Sequence, residues 1–343
     1  MGPRLESPAE VVRWLGAVQA QDYNGATWAL GLRTDAATRA SVDEAFDSGQ
    51  ILRTHVLRPT WHFVPPEDAR MLLELTGPRV MAGVAGRHRR LELDRSVITA
   101  AESAFVAALD RGRHLTRPEL GSVLEEAGIS PEGQRLPHLI MAAELEGLVI
   151  SGPRRGRQLT YALLDERAPG TAPVARDEAL GRLALRYFES HGPALLQDFA
   201  WWSGLTLKEA RAGLASAAAR LDRARLDDKD YYWLEAAVEP GAAAAVHLLP
   251  NFDELTVAYR DRSALHDAAA TDLSIFSFGS ILANVVTVGG RIIGAWRRVA
   301  GARGLRLEVR LLVPGGETER TRIEGAAAEL GRFTGLAPDL VWA

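Results

Sequence analysis

Two glutamines one residue apart, Gln19 and Gln21, stand in "LGAVQAQDYNG", where an apolar run ends. Their side chains donate and accept hydrogen bonds but do not ionise. Two carboxylates at this spacing would suggest general acid–base chemistry. Two amides suggest binding, or a reaction whose leaving group needs no proton. On an ideal helix the pair would lie about 200° apart, whereas on extended chain both would share one face. The following "DYNG" supplies turn chemistry, so a departure from helix fits here. The plain alternative is a pair of polar residues bonding free carbonyls at a helix end.

Other reactive constellations are weaker. The eight histidines, at 55, 62, 88, 114, 138, 191, 247 and 266, form no H-x-x-x-H or H-E-x-x-H, so no zinc site is expected. There is no cysteine, which excludes disulfides and thiolate metal sites. "GVAGRHRR" and "GPRRGRQ" contain glycines but match no phosphate-loop or dinucleotide fingerprint. No G-x-S-x-G elbow occurs.

Cations cluster more clearly. "RTHVLRPTWHF" gathers Arg53, His55, Arg58 and His62 around Trp61, either as a solvated strand face or as contacts to phosphates and bases. "GPRRGRQ" puts Arg154, Arg155 and Arg157 in one turn. "RIIGAWRRVAGARGLRLEVR" holds Arg291, Arg297, Arg298, Arg303, Arg306 and Arg310 against the single acid Glu308. Such local excess suits phosphates even though the formal net charge is −4. Lys208 and Lys229 are the only lysines, a bias that a GC-rich coding sequence explains. "DFAWWSGL" reads as core packing rather than a base-stacking platform.

The elements that must carry these residues repeat. "SPAEVVRWLGAVQ" starts with a cap, Ser7 with Pro8 and Glu10, and its apolar stripe Val11, Trp14, Leu15, Val18 predicts a helix. "SVDEAFDSGQ" predicts a second helix with Ser41 as cap and Glu44 in the box position. "ILRTHVLRPTWHFV" predicts a hairpin, and "PPEDARMLLEL" another helix. A helix near Ile98–Leu109, a capped helix from Thr116, a third closed by Gly147 and the hairpin "LVISGPRRGRQLTYALL" repeat the order. "EALGRLALRYFESHG", a helix–turn–helix with Gly204 and Thr206, and "YYWLEAAV" give a third copy. Helices followed by a hairpin is the order of a winged helix. "AVHLLPNFDELTVAYRDR", "ILANVVTVGGRIIGAWRRV" and "GLRLEVRLLVP" predict strands of a small β-barrel or curled sheet, closed by the helix in "ETERTRIEGAAAELGRFTGL".

The expected class is α+β: winged-helix motifs at 1–92, 93–166 and 177–240, a linker at 167–176, and a β-barrel with a terminal helix at 241–343. The 343 residues are 47% hydrophobic and 24% charged, a soluble globular profile. No apolar run approaches the roughly 20 residues that span a bilayer, and "MGPRLESPAE" has no signal-like core. The expectation is a cytoplasmic protein with no membrane partner.

Taken in order, these blocks resemble the winged-helix DNA glycosylases of the AlkZ/YcaQ type. Their hallmark is Gln–hydrophobic–Gln, or Gln–hydrophobic–Asp, near the N-terminus; Gln19-Ala20-Gln21 matches the first form. "RTHVLRPTWHFV", the basic wing, "LLPNFDELTVAYRDR" and "GGRIIGAWRR" look like further family features, over nearly the full chain. The resemblance implies three tandem winged-helix motifs and a β-barrel around a concave DNA cleft. It implies a monofunctional, monomeric glycosylase that excises N7-alkylated purines from double-stranded DNA, in some members from interstrand crosslinks, without metal or cofactor. Gln21 would position the water with Gln19 assisting; Arg53, His55, Arg58, His62, Arg154, Arg155, Arg157, Arg297 and Arg298 would bind DNA. The protein would associate with the nucleoid when bound. Family members carry another basic helical segment ahead of the first helix seen here. A non-catalytic DNA-binding regulator and a protein-binding module remain alternative readings, against which the retained Gln-x-Gln argues.

Overall fold

A computed structural model describes residues 4–170, 173–234, 245–265, 283–299, 304–312 and 315–343. Arg303, His266 and part of the expected linker lie outside them.

The first unit comprises α1 (Pro8–Leu15), β1 (Val18–Gln19), α2 (Tyr23–Arg33), α3 (Arg39–Asp47), β2 (Leu52–Val56) and β3 (Thr60–Val64). Ser7 and Glu10 cap α1 reciprocally, as the sequence predicts. The helix stops earlier than the apolar stripe implies, because Gly16 takes φ +80° and returns its N–H to Val12 O at 2.9 Å. Val18 therefore belongs to a strand. The cap of α3 is Thr38 rather than Ser41; Ser41 is its N3 partner, at 3.0 and 3.1 Å. "DYNG" has turn composition, yet Asp22 accepts the Asn24 and Gly25 N–H groups and so starts α2 there.

The long α4 (Pro66–Arg90) leads to the second unit: α5 (Arg95–Leu109), β4 (Leu115–Thr116), α6 (Arg117–Glu126), α7 (Arg135–Leu145), β5 (Val149–Arg155) and β6 (Gln158–Leu163). A short α8 (Leu164–Arg167) precedes the third: α9 (Arg176–His191), β7 (Ala194–Leu195), α10 (Leu196–Ser203), α11 (Leu207–Ala217), β8 (Asp222–Leu226) and β9 (Lys229–Trp233). All three units share one pattern: a short first strand joins the outer side of the hairpin, giving sheet orders β1-β3-β2, β4-β6-β5 and β7-β9-β8.

The C-terminal part holds β10 (Val246–Leu249), α12 (Glu254–Val257), β11 (Val285–Val288), β12 (Arg291–Arg298), β13 (Leu305–Leu311), α13 (Glu317–Thr334) and β14 (Pro338–Trp342). Its sheet runs β10-β11-β12-β13-β14, with β14 parallel to β13. It is a curled half-barrel, the curled-sheet form of the two expected: among the described residues β10 and β14 do not pair. This sheet and α13 share one apolar core with the first unit. Trp28 of α2 bonds Leu248 O at 2.7 Å, and Gly31 lies so close to the Phe333 ring that an added Cβ would meet it at 2.6 Å. α2 is buried on nearly every side, which hides the one-faced stripe that marks a surface helix. No helix among the described residues is long and apolar enough to cross a membrane.

Candidate active site

Gly16 turns the chain from α1 into the edge strand β1. Val18 pairs with Phe63 and Gln19 with His62, and Ala20 extends the ladder by donating to Trp61 O at 2.7 Å. Val18 and Ala20 are 1% and 0% exposed and enter the core. Alternation sends the side chains of Gln19 and Gln21 to the opposite face. Both amide carbonyls are oriented from the β2–β3 hairpin: Gln19 Oε1 accepts from Arg58 at 3.1 Å, and Gln21 Oε1 from the Trp61 N–H at 3.3 Å. A carbonyl oxygen has two lone pairs, so each keeps an acceptor site for another group. Gln21 is exposed, whereas Gln19 is 8% exposed.

Behind the amides the hairpin is packed with polar groups. Arg53 Nε donates to Ala20 O, between the glutamines, at 3.0 Å, and its guanidinium lies 4.4 Å from the Trp61 ring centre. Burial lowers its pKa, and the same holds for the half-buried Arg58, whose charge Glu254 supports. His55 Nδ1 bonds the Glu144 carboxylate, and its ring lies 4.3 Å from that of Trp61. His62 Nδ1 donates to Thr60 O at 2.9 Å. Burial, with Arg58 adding to it, holds His62 well below its ordinary pKa and therefore neutral.

A second support comes from far along the chain. Because Ala20 faces the ladder, Gln19 turns its N–H outward, and a buried edge donor must find a partner. Glu254 Oε1 accepts it at 3.0 Å. Asp253 caps α12 and forms a two-bond pair with Arg33 of α2, at 2.7 and 2.8 Å, fixing α12 against the first unit.

A family model described as AlkZ-like, DNA glycosylase AlkZ-like, matches residues 12–333. The chain belongs to the AlkZ-like DNA glycosylase family. An interstrand DNA cross-link repair glycosylase from Streptomyces sahachiroi is 26% identical over 369 residues, spanning 98% of this chain and 93% of the relative. The solved structure of the Streptomyces sahachiroi DNA glycosylase AlkZ aligns with a TM-score of 0.78 at 22% identity, covering 98% of this chain and 94% of that one. At that identity the likeness speaks for the AlkZ-like fold alone.

Within this AlkZ-like chain the expected DNA-contacting residues divide. Arg53, His55 and His62 are 8%, 4% and 1% exposed and bond to protein groups beneath the glutamines. Neither a solvated strand face nor direct DNA contact fits their burial, because β2 lies between β3 and the second unit, where Ser151 Oγ takes the Arg53 N–H at 2.7 Å. Arg58 reaches Gln19. Arg154 is held by Asp43 and Asp47, each at 2.7 Å, and ties α3 to the second hairpin. Arg155 pairs with Glu119 at 2.6 Å but is half exposed. Arg157, at the tip, is exposed and has no hydrogen-bond or ionic partner among the described residues. Arg297 and Arg298 are exposed on β12, with contacts to Glu308 and Gly304 O.

Glu254, His191 and Trp202 meet behind Gln19, and no residue pattern in the sequence singles out Glu254 or His191. Trp202 is buried, as the core reading of "DFAWWSGL" expects, but Trp201 is 44% exposed. Its indole N–H bonds Val257 O at 3.1 Å, the carbonyl that Arg58 also reaches, at 3.5 Å. The adjacent acids of "NFDEL" are the nearest to a signal, since a carboxylate pair beside a strand end requires partners.

Proposed function

We propose that this chain is a monofunctional, metal-independent DNA glycosylase that acts as a monomer on duplex DNA. It hydrolyses the N-glycosidic bond of N7-alkylated purines, including those in interstrand crosslinks. In this reading the three repeated units are winged helices, and the protein is cytoplasmic and nucleoid-associated when bound. The observation that carries it is the pair of oriented amides, Gln19 and Gln21, on one face of β1.

The chemistry matches non-ionising side chains. A purine alkylated at N7 is already cationic, so the C1′–N9 bond breaks with its electron pair neutralising the base. No general acid is required. Water then adds through oxygen to C1′, and its proton passes to solvent. The remaining demands are an oriented water and stabilisation of an oxocarbenium-like sugar, which preorganised carbonyl dipoles supply. Gln21, the exposed amide, positions the water, and Gln19 assists from its covered site. Arg155, Arg157, Arg297 and Arg298 meet phosphates, while Arg53, His55, Arg58, His62 and Arg154 support the DNA-binding surface from behind. The family membership, together with the crosslink-repair relative, supports this reading.

Purified protein incubated with duplexes bearing N7-methylguanine, bulkier N7 adducts or an N7-linked crosslink tests it. Free base released with an abasic site left is the expected result. Tight, salt-sensitive binding with no base released from any of them would favour a non-catalytic DNA-binding protein.

A further inference from the structure

We infer that Glu254 and His191 form a hydrogen-bonded pair that positions Gln19 for bond cleavage. The inference rests on the reading of Gln19 as a reactive amide. Glu254 and His191 are 3% and 4% exposed, so neither reaches the DNA surface. Glu254 nevertheless collects groups from three other elements. Its Oε1 takes the Gln19 N–H of β1 at 3.0 Å; its Oε2 takes the Trp202 indole N–H of α10 at 3.0 Å and faces His191 Nε2 of α9 at 3.3 Å.

The ring is placed from both sides: Ser190 Oγ lies 2.7 Å from Arg186 O and 2.8 Å from His191 Nδ1, and the other ring nitrogen faces a carboxylate oxygen. A carboxylate oxygen only accepts and two lone pairs would repel in a buried site, so Nε2 carries a hydrogen that points to Glu254. The Tyr187 ring stacks on His191 at 4.8 Å and 10°, locking the imidazole plane.

The same short helix holds Gln19 at both ends. Glu254 fixes its backbone N–H directly. Arg58, which orients the side-chain carbonyl, reaches the Val257 carbonyl of α12. Glu254 also offsets the Arg58 charge, which would otherwise oppose a cationic substrate and a cationic sugar. The pair acts through Gln19, so it should govern the cleavage step and leave DNA affinity unchanged.

The test is single-turnover release of N7-methylguanine from a duplex, with duplex affinity measured separately, for wild type, Glu254→Gln, His191→Gln and His191→Leu. Glutamine at position 191 restores an N–H donor toward Glu254; leucine does not. Cleavage should slow about 10- to 100-fold in Glu254→Gln and His191→Leu, with affinity within about 2-fold, the range of losing one positioning interaction. His191→Gln should recover most of the rate. Thermal melting identifies any variant that does not fold, and the histidine pair decides the matter if Glu254→Gln fails. Wild-type rates in Glu254→Gln, equal rates in the two histidine variants, or parallel losses of affinity and rate would overturn the inference alone. A wild-type protein that releases no base would overturn the glycosylase reading with it.

Discussion

The first and second units share a sheet order yet differ at the junction from first strand to next helix. In the second unit Thr116 ends β4 and is itself the cap of α6, in reciprocal bonds with Glu119. The third unit is equally tight: Leu195 ends β7, α10 begins at Leu196, and Asp198 takes the Leu195 N–H at 3.0 Å. In the first unit Ala20, Gln21 and Asp22 lie between β1 and α2, and Asp22 does the capping. The junction residues are thereby released from capping, which leaves Gln21 exposed on the face of β1 that also carries the covered Gln19. One small lengthening of a repeated motif separates a structural junction from the one that we propose is reactive.

The largest expected break in that comparison is kinetic. Gln21→Ala should lower base release about 10²- to 10³-fold, the usual cost of losing one oriented transition-state group, with little change in melting temperature. Thr116→Ala at the matching junction should do the reverse, leaving single-turnover release unchanged and costing about 1 kcal/mol in denaturant unfolding. Equal activity loss in both would erase the distinction.

A smaller effect concerns phosphates. Arg157→Ala on the second hairpin should weaken binding to any duplex and reduce the salt slope by about 1. Binding titrations between low and moderate salt measure this, and an unchanged slope would remove the hairpin tip from the interface.

The smallest is acid sensitivity of the tight junctions. Hydrogen bonds from Thr116 and Arg155 lower the Glu119 carboxyl to about 2. Burial opposes ionisation of Glu209, yet Thr206 and Arg176 bring it to about 2 as well. A carboxyl depressed in the folded state contributes stability that is complete above its unfolded pKa of roughly 4.3 and is lost as pH falls toward the folded value. The melting difference between wild type and Glu209→Gln should therefore narrow from pH 5 to pH 2. A constant difference would show that the carboxylate charge is not what the cap uses.

Local signals in the sequence were legible where the chain obeys them. The cap residues Ser7, Thr116 and Thr206, the two basic hairpins and the terminal helix all appear where their residue types indicate. α2 was hidden because burial on all sides erases its period and its first turn, Asn24-Gly25, has turn composition. β14 returns parallel to β13 only after α13, a pairing no local pattern announces. The amides could be singled out by type and spacing, but their outward strand geometry depends on Gly16 and on Ala20 pairing with Trp61. Glu254 lies 235 positions from Gln19, so its role follows from the fold alone.

The claim that these amides stabilise a cationic sugar has a direct measurement. Duplexes carrying a cationic pyrrolidine abasic mimic and a neutral tetrahydrofuran mimic at the same position should bind wild type with affinities at least about 10²-fold apart, as expected of a transition-state-like charge. Replacing both Gln19 and Gln21 with alanine should bring the two affinities together. A wild-type protein that binds the two mimics equally, or a double variant that keeps the full preference, would contradict the account.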